Sequence, residues 1–165
     1  HGLENTMKFI QKLAIFEGYE LNEEKYEEEV TQIKQQMFTV KRKFFFYKET
    51  KKCAVFGDYD TAVGMKQLLE ELGLEVNRAE ILYQTEVEEP LVAGGTEFDR
   101  MKYLKQESLL LLLGDGATIE MDYTAKSSHQ VSNPNLHHIM IYPYTPFIGF
   151  RGMLYWIEKI LNISL

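Results

Sequence analysis

Two acidic residues one position apart, Asp58 and Asp60, close the segment Gly57-Asp58-Tyr59-Asp60 directly after the apolar run Cys53-Ala54-Val55-Phe56. Two carboxylates at the end of a strand can hold Mg²⁺ or work as an acid/base pair. The same residues also suit a structural task, with Asp60 or Thr61 capping the helix that follows. Asp115 lies between two glycines in Gly114-Asp115-Gly116, but Ile119 stands where a third glycine would complete a dinucleotide fingerprint. Gly94-Gly95-Thr96 has no lysine after it and is not a phosphate-binding loop. His137 and His138 are neighbours on a predicted strand, so they point to opposite faces and do not share a metal readily. His129 is expected near a helix end, where a cation is favoured. Cys53 reads as a small buried hydrophobe rather than a nucleophile. The residue types alone assign no catalytic group and no metal ligand.

The elements that must position these residues follow from periodicity. Met7, Ile10, Leu13 and Ala14 recur at helical spacing, and Gly18 interrupts them. Asn22 is placed to cap a second helix, with Glu23 and Glu24 in its first turn and Ile33, Met37 and Val40 on its buried side. The acidic stretch from Glu23 to Glu29 reads as a solvated helix face. The aromatic cluster Phe44-Phe45-Phe46-Tyr47 reads as packing at a linker. Strand–helix alternation begins after Lys51-Lys52. Cys53–Phe56 predicts a buried strand. Ala62, Met65, Leu69 and Leu72 predict a helix stopped by Gly73. Glu75 to Tyr83 predicts a second strand, and Pro90 with Gly94-Gly95 a loop. Thr96 and Asp99 resemble a capping box for a helix through Gln106. Leu109 to Leu113 predicts a third strand, followed by a weaker helix to about Ser127. Asn133-Pro134-Asn135 predicts a turn, and His138 to Tyr142 a fourth strand. Met153, Trp156, Ile157, Ile160 and Leu161 line one face of a last helix. This order predicts an α/β domain with a mainly parallel sheet of about four strands preceded by two helices. Ligands of such sheets bind beyond the carboxyl ends of the strands, here the segments after Gly57, after Gly114, and from Tyr142 to Gly149.

Composition narrows the function classes. The chain has 165 residues and 18 basic against 25 acidic side chains, a formal net charge of −7. That length fits one domain with a single core. The acidic balance argues against nucleic acid as the main partner, since phosphate binding needs a basic surface. A single cysteine excludes a disulfide framework, or a cluster held by several cysteines of this chain. It also fits a reducing, cytoplasmic setting. No apolar run exceeds the five residues of Leu109 to Leu113, far short of the roughly 18–20 residues that span a bilayer, so no membrane is expected. The start, His1-Gly2-Leu3-Glu4, lacks the pattern of a signal peptide. Because it is not a methionine start, the chain is expected to be part of something longer.

Two family resemblances emerge. Gly57-Asp58-Tyr59-Asp60 resembles the first motif of the Asp-His-His phosphoesterases. Ala62 and Val63 stand where that family has Asp and Gly, however, and Leu136-His137-His138 lacks the namesake acid. The ligand set for a metal-dependent phosphoesterase is therefore incomplete.

The second resemblance covers almost the whole chain. Cys53 through Gly64, followed by Leu68-Leu69-Glu70-Glu71-Leu72-Gly73-Leu74-Glu75-Val76, resembles the nitrogenase component 1 type oxidoreductases. Members typically show a strand, Gly-Asp, one residue, Asp, a nearby Gly, and a helix closing in Glu-Leu-Gly. Ile148-Gly149-Phe150-Arg151-Gly152-Met153-Leu154 resembles the Gly-Tyr-Arg-Gly-Ala opening of that family's last helix. The resemblance implies a Rossmann-like, three-layer domain: residues 1–165 as one C-terminal domain fragment, with leading helices in 1–50 and the α/β core in 51–165. It implies a subunit that works with an ATP-dependent iron–sulfur reductase protein and pairs with a homologous or identical component 1 subunit. Electrons would pass a metal cluster held by cysteines of earlier domains, so none is expected to be bound by this fragment alone. The cofactor-side candidates are the strand-end residues Asp58, Asp60, Gly114, Asp115, Ile148, Gly149 and Arg151. Ile148 stands where the cofactor-bearing nitrogenase subunit has a His, and the loop before it is short and uncharged. A non-catalytic scaffold for metal-cofactor assembly is the alternative that these departures suggest.

Overall fold

The computed structural model describes residues 1–46, 51–83, 86–88, 90–121, 124–134, 136 and 146–164. Two helices lead, α1 (Leu3–Glu17) and α2 (Glu23–Phe44). Then come β1 (Lys52–Gly57), α3 (Tyr59–Glu71), β2 (Glu75–Ile81), β3 (Val92–Ala93), α4 (Glu97–Gln106), β4 (Leu111–Gly114), α5 (Gly116–Glu120), β5 (Ser127–Gln130) and α6 (Gly149–Leu161). The strands lie in the order β3-β2-β1-β4-β5, and every pairing is parallel.

The sheet is apolar through its centre because helices cover both of its faces. Consecutive residues of β1 sort to opposite sides, as the two-residue period of a strand requires. Cys53 and Val55 join Leu111, Leu113 and Ile81 beneath α2, α3 and α6, where Ile33, Val40, Phe44, Met65, Leu69, Trp156 and Ile160 complete the larger core. Ala54 and Phe56 join Leu112 on the other side, beneath Leu104 of α4 and Met121 just past α5. Three layers result, with α2 packed along α6 on the thicker side.

Local chemistry sets the helix ends where the sequence places them. Gly18 closes α1 in the left-handed region at φ 70°, a conformation that costs glycine nothing. The side chain of Asn22 accepts the Lys25 amide to start α2. Thr96 and Asp99 form a reciprocal capping box on α4.

Four expectations change. Among the described residues the sheet has five strands, three where strands were expected, and Val92–Ala93 pairs with the end of β2 where a loop was expected. The helix after Gly116 stops at Glu120, and Ser127–Gln130 forms β5, so His129 sits on a strand rather than near a helix end. β2 ends at Ile81, and Tyr83 turns away exposed, at φ 67°. On α1 the buried residues are Leu3, Thr6 and Ala14, while Leu13 is 44% exposed. The predicted strand His138–Tyr142 lies outside the described residues, as do His137 and His138 themselves.

Candidate functional site

Among the described residues the sheet has one topological switch point. From β1 the chain builds outward through β2 to β3 on one side, then returns to build β4 and β5 on the other. The turns after β1 and β4 therefore diverge from adjacent strands and leave a crevice between them, the usual ligand position of such folds.

Both turns carry the same five-residue pattern, Gly-Asp-x-x-Thr, as Gly57–Thr61 and Gly114–Thr118. In the first, Asp58 accepts the Thr61 amide at 2.9 Å through Oδ1 and the Thr61 hydroxyl at 3.1 Å through Oδ2. In the second, Asp115 accepts the Thr118 amide at 2.8 Å. The glycine before each Asp lets the threonine fold back over the strand end. A Cβ would meet Thr61 Cγ2 at 3.2 Å from Gly57, and Thr118 Cβ at 3.2 Å from Gly114. The helix cap is thus Asp58, not Asp60 or Thr61 as expected. Asp60 lies exposed in the first turn of α3, where the helix dipole favours a carboxylate. The two caps differ in surroundings. Asp58 is exposed, whereas Asp115 is 3% exposed beneath a covering turn. Gly116 donates to the Pro134 carbonyl at 2.9 Å, and the Gln130 carboxamide accepts the Leu136 amide at 3.1 Å, tying that turn down.

Ile148, Gly149 and Arg151 gather at the start of α6. Ile148 occupies the cap position without a side-chain hydrogen bond and is 68% exposed. Gly149 takes φ 74°, which admits glycine and strains other residues. Arg151 is exposed and makes no ion pair among the described residues. Gly152 is where the chain comes closest to itself: a Cβ there would stand 2.5 Å from the carbonyl carbon of Phe147. His1 Nδ1 lies 3.1 Å from the Phe147 oxygen, and its ring sits against Gly64 of α3. The start of α6 thus lies beside the first half of α3. No hydrogen bond among the described residues joins the Asp58/Asp115 turns to the Ile148–Arg151 group.

The donor set does not fit an iron–sulfur cluster, which takes several thiolates. Cys53 is fully buried in β1, and burial pushes its thiol up to about 12, with Glu75 adding to the rise and a Leu111 backbone hydrogen bond opposing it. It remains a protonated core thiol. Among the described residues no three His, Cys, Asp or Glu side chains converge as metal ligands. Asp58, with both oxygens engaged by Thr61, is occupied as a cap.

A buried ion-pair knot escapes the sequence reading. Glu80 is 0% exposed, with Arg78 Nη2 at 2.6 Å, Arg100 Nη1 at 3.8 Å, and the Gly95 amide donating at 3.2 Å. The Arg78 guanidinium lies over the Tyr103 ring at 4.9 Å and near Phe56 at 6.0 Å. Burial pushes the Tyr103 hydroxyl up to about 12. The signal was available: Arg78 and Glu80 stand two apart on a strand, hence on one face.

Comparison with known proteins agrees with this architecture. The solved structure of nitrogenase Cp1 at pH 6.5 superposes with a TM-score of 0.72 at 22% identity. The match covers 98% of this chain and 38% of the nitrogenase chain. No curated protein matches the sequence. At that identity the structural likeness concerns the fold. The sequence itself matches the family described as Nitrogenase component 1 type Oxidoreductase over residues 1–165. The chain belongs to the nitrogenase component 1 type oxidoreductase family.

Proposed function

We propose that residues 1–165 form the C-terminal domain of a nitrogenase-like subunit and supply one wall of its substrate or cluster pocket. The observation that carries this reading is the pair of Gly-Asp turns at the switch point of an all-parallel sheet. They put rigid, glycine-lined backbone where such folds receive ligands. Asp58, Asp60, Gly114 and Asp115 form one part of that wall, and Ile148, Gly149 and Arg151 the other. The domain is inactive alone. Its cluster ligands come from other domains of the subunit, in keeping with the misfit of this chain's own donors. Electrons are supplied by an ATP-dependent iron–sulfur reductase protein, and a homologous or identical component 1 subunit completes the assembly in the cytoplasm. Among the described residues no helix is long and apolar enough to cross a membrane.

The test uses the full-length protein, purified anaerobically. Bound iron, a visible cluster spectrum and ATP-dependent substrate reduction with the reductase protein are expected. Arg151→Gln should lower turnover about tenfold while leaving the cluster spectrum intact, because Arg151 is exposed and structurally unencumbered. Full-length protein without three or more cysteines in its first domain, or without bound iron, would sink the reading as a cluster-bearing reductase.

A second reading is a non-catalytic scaffold for cofactor assembly. It is favoured by Ile148, a side chain that offers no ligand atom at the start of α6. A scaffold would pass a cluster to an apo-acceptor and reduce nothing. The phosphoesterase reading gains no support from Asp58, whose carboxylate is committed to capping α3.

A further inference from the structure

Four large apolar side chains stand exposed on α1: Phe9 at 64%, Leu13 at 44%, Ile15 at 82% and Phe16 at 84%. No other helix or strand of the described residues exposes more than one. Phe9, Leu13 and Phe16 stand four and three residues apart and form one stripe. Ile15 joins Ala14, Tyr19 and Leu21 around an open groove at the turn from α1 to α2. An apolar patch of this extent marks a surface that another surface covers. A fully buried aromatic side chain removes about 150–250 Å² from water, so Phe9, Leu13, Ile15, Phe16 and Tyr19 offer roughly 600 Å² at their exposures. The foot of the helix is fixed: Glu71 accepts the Leu3 and Glu4 amides, and the His1 ring sits against Gly64.

We propose that this face of α1 seats the domain that precedes it in the same subunit, which packs an apolar surface against Phe9, Leu13, Ile15 and Phe16. The inference rests on the reading of residues 1–165 as a C-terminal domain. Area and charge select this occupant over a second copy of the chain. A stable complex of separate chains takes about 800 Å² from each partner. The α1 face falls short of that, but a domain on the same polypeptide is spared most of the entropy lost when two free molecules associate. Lys12 argues against self-pairing. It stands three residues after Phe9 and four before Phe16, in the middle of the face. A two-fold axis midway along the stripe would set Lys12 beside its own copy, and like charges so placed repel. A preceding domain needs no such symmetry. Its chain enters at His1, and Phe9 lies about 9 Å along the helix from Leu3. The tether therefore delivers the partner surface next to the stripe, and the clamp at Glu71 holds the helix ready to receive it.

The test is amide hydrogen exchange on this chain and on the full-length protein under the same conditions. In the full-length protein the amides from Phe9 to Phe16 are expected to exchange about a hundredfold more slowly than in this chain, where they exchange through local opening. Phe16→Glu in the full-length protein should return them to within about tenfold of their rate in this chain. The same substitution in this chain should leave its Tm unchanged, because Phe16 is exposed. A full-length protein with no domain before residue 1 overturns the reading on which the inference rests. Equal exchange in a full-length protein that has such a domain overturns the inference alone. A concentration-dependent dimer of this chain in sedimentation equilibrium, abolished by Phe16→Glu, assigns the face to a second copy and overturns it as well. The comparison of the two unaltered proteins decides even if the variant fails to fold.

Discussion

Asp58 and Asp115 perform the same act in different surroundings, and the difference is measurable. Each carboxylate satisfies an amide at the start of a helix. Alanine at an exposed cap costs about 1 kcal/mol, and the upper end of the range, about 2 kcal/mol, applies where the freed amide is buried. Asp115→Ala should therefore lower the unfolding free energy by about 2 kcal/mol and Asp58→Ala by about 1 kcal/mol, as read from urea denaturation. Asparagine at either position should recover most of the loss. Cys53 supports a second prediction at this scale. Its thiol is fully buried and pushed up to about 12. At pH 8 the native chain should resist a disulfide-exchange reagent, and one thiol should titrate promptly once denaturant is added. Prompt native reaction would contradict the burial of β1.

Among the elements, α6 depends on its approach as much as on its own face. Gly152 faces the Phe147 backbone so closely that a methyl group cannot fit without moving the loop or the helix. Gly152→Ala should cost about 1–3 kcal/mol by overpacking, seen as a lowered Tm. The β2–α4 connection rests instead on charge. Glu80→Ala would leave Arg78 and Arg100 beside an uncompensated gap, and breaking a buried pair from one side costs about 3–5 kcal/mol. Replacing all three charges together, as Arg78→Met, Glu80→Leu and Arg100→Met, should recover much of that loss in the same unfolding measurement.

How much of these elements the sequence reveals depends on how each one is stabilised. α2, α3, α4 and β1 were legible because their signals are local: a cap at Asn22, a stop at Gly73, a capping box at Thr96–Asp99, and apolar runs. β3 and β5 were not. Val92–Ala93 is too short to show periodicity, and Ser127–Gln130 is polar, so its strand form comes from pairing with β4, which sequence alone does not display. α1 was legible as a helix, and its buried face in large part: Ala14 is buried, Met7 packs against the core and Ile10 is half-buried, while Leu13 alone of the predicted stripe is exposed. The sequence did not show that the first turn is tied down, with Glu71 accepting the Leu3 amide at 2.6 Å and the Glu4 amide at 3.2 Å. The candidate site was half legible. The Gly-Asp turns were visible as strand ends, yet the cap was assigned to Asp60 or Thr61 rather than Asp58.

At the scale of the whole molecule, stability is unevenly spread. β1 and β4 sit between two layers of side chains, whereas α1 buries three residues and leaves Phe9, Ile15 and Phe16 exposed. Regions with few buried contacts open with the smallest free energy. Native-state hydrogen exchange should show β1 and β4 amides exchanging only through global unfolding, and α1 amides beyond the first turn exchanging through local opening. Protection of α1 equal to that of β1 would show that the leading helix belongs to the same cooperative unit.

The brevity of β3 has a consequence for association. Among the described residues, Val92 and Ala93 are all that this side of the sheet presents as a strand, and the Gly95 amide just beyond them donates to Glu80 of β2. An arriving extended segment would find about one rung of hydrogen-bonding ladder before the template ends. On that flank the short strand thus acts as a built-in terminator: growth by strand addition stalls there.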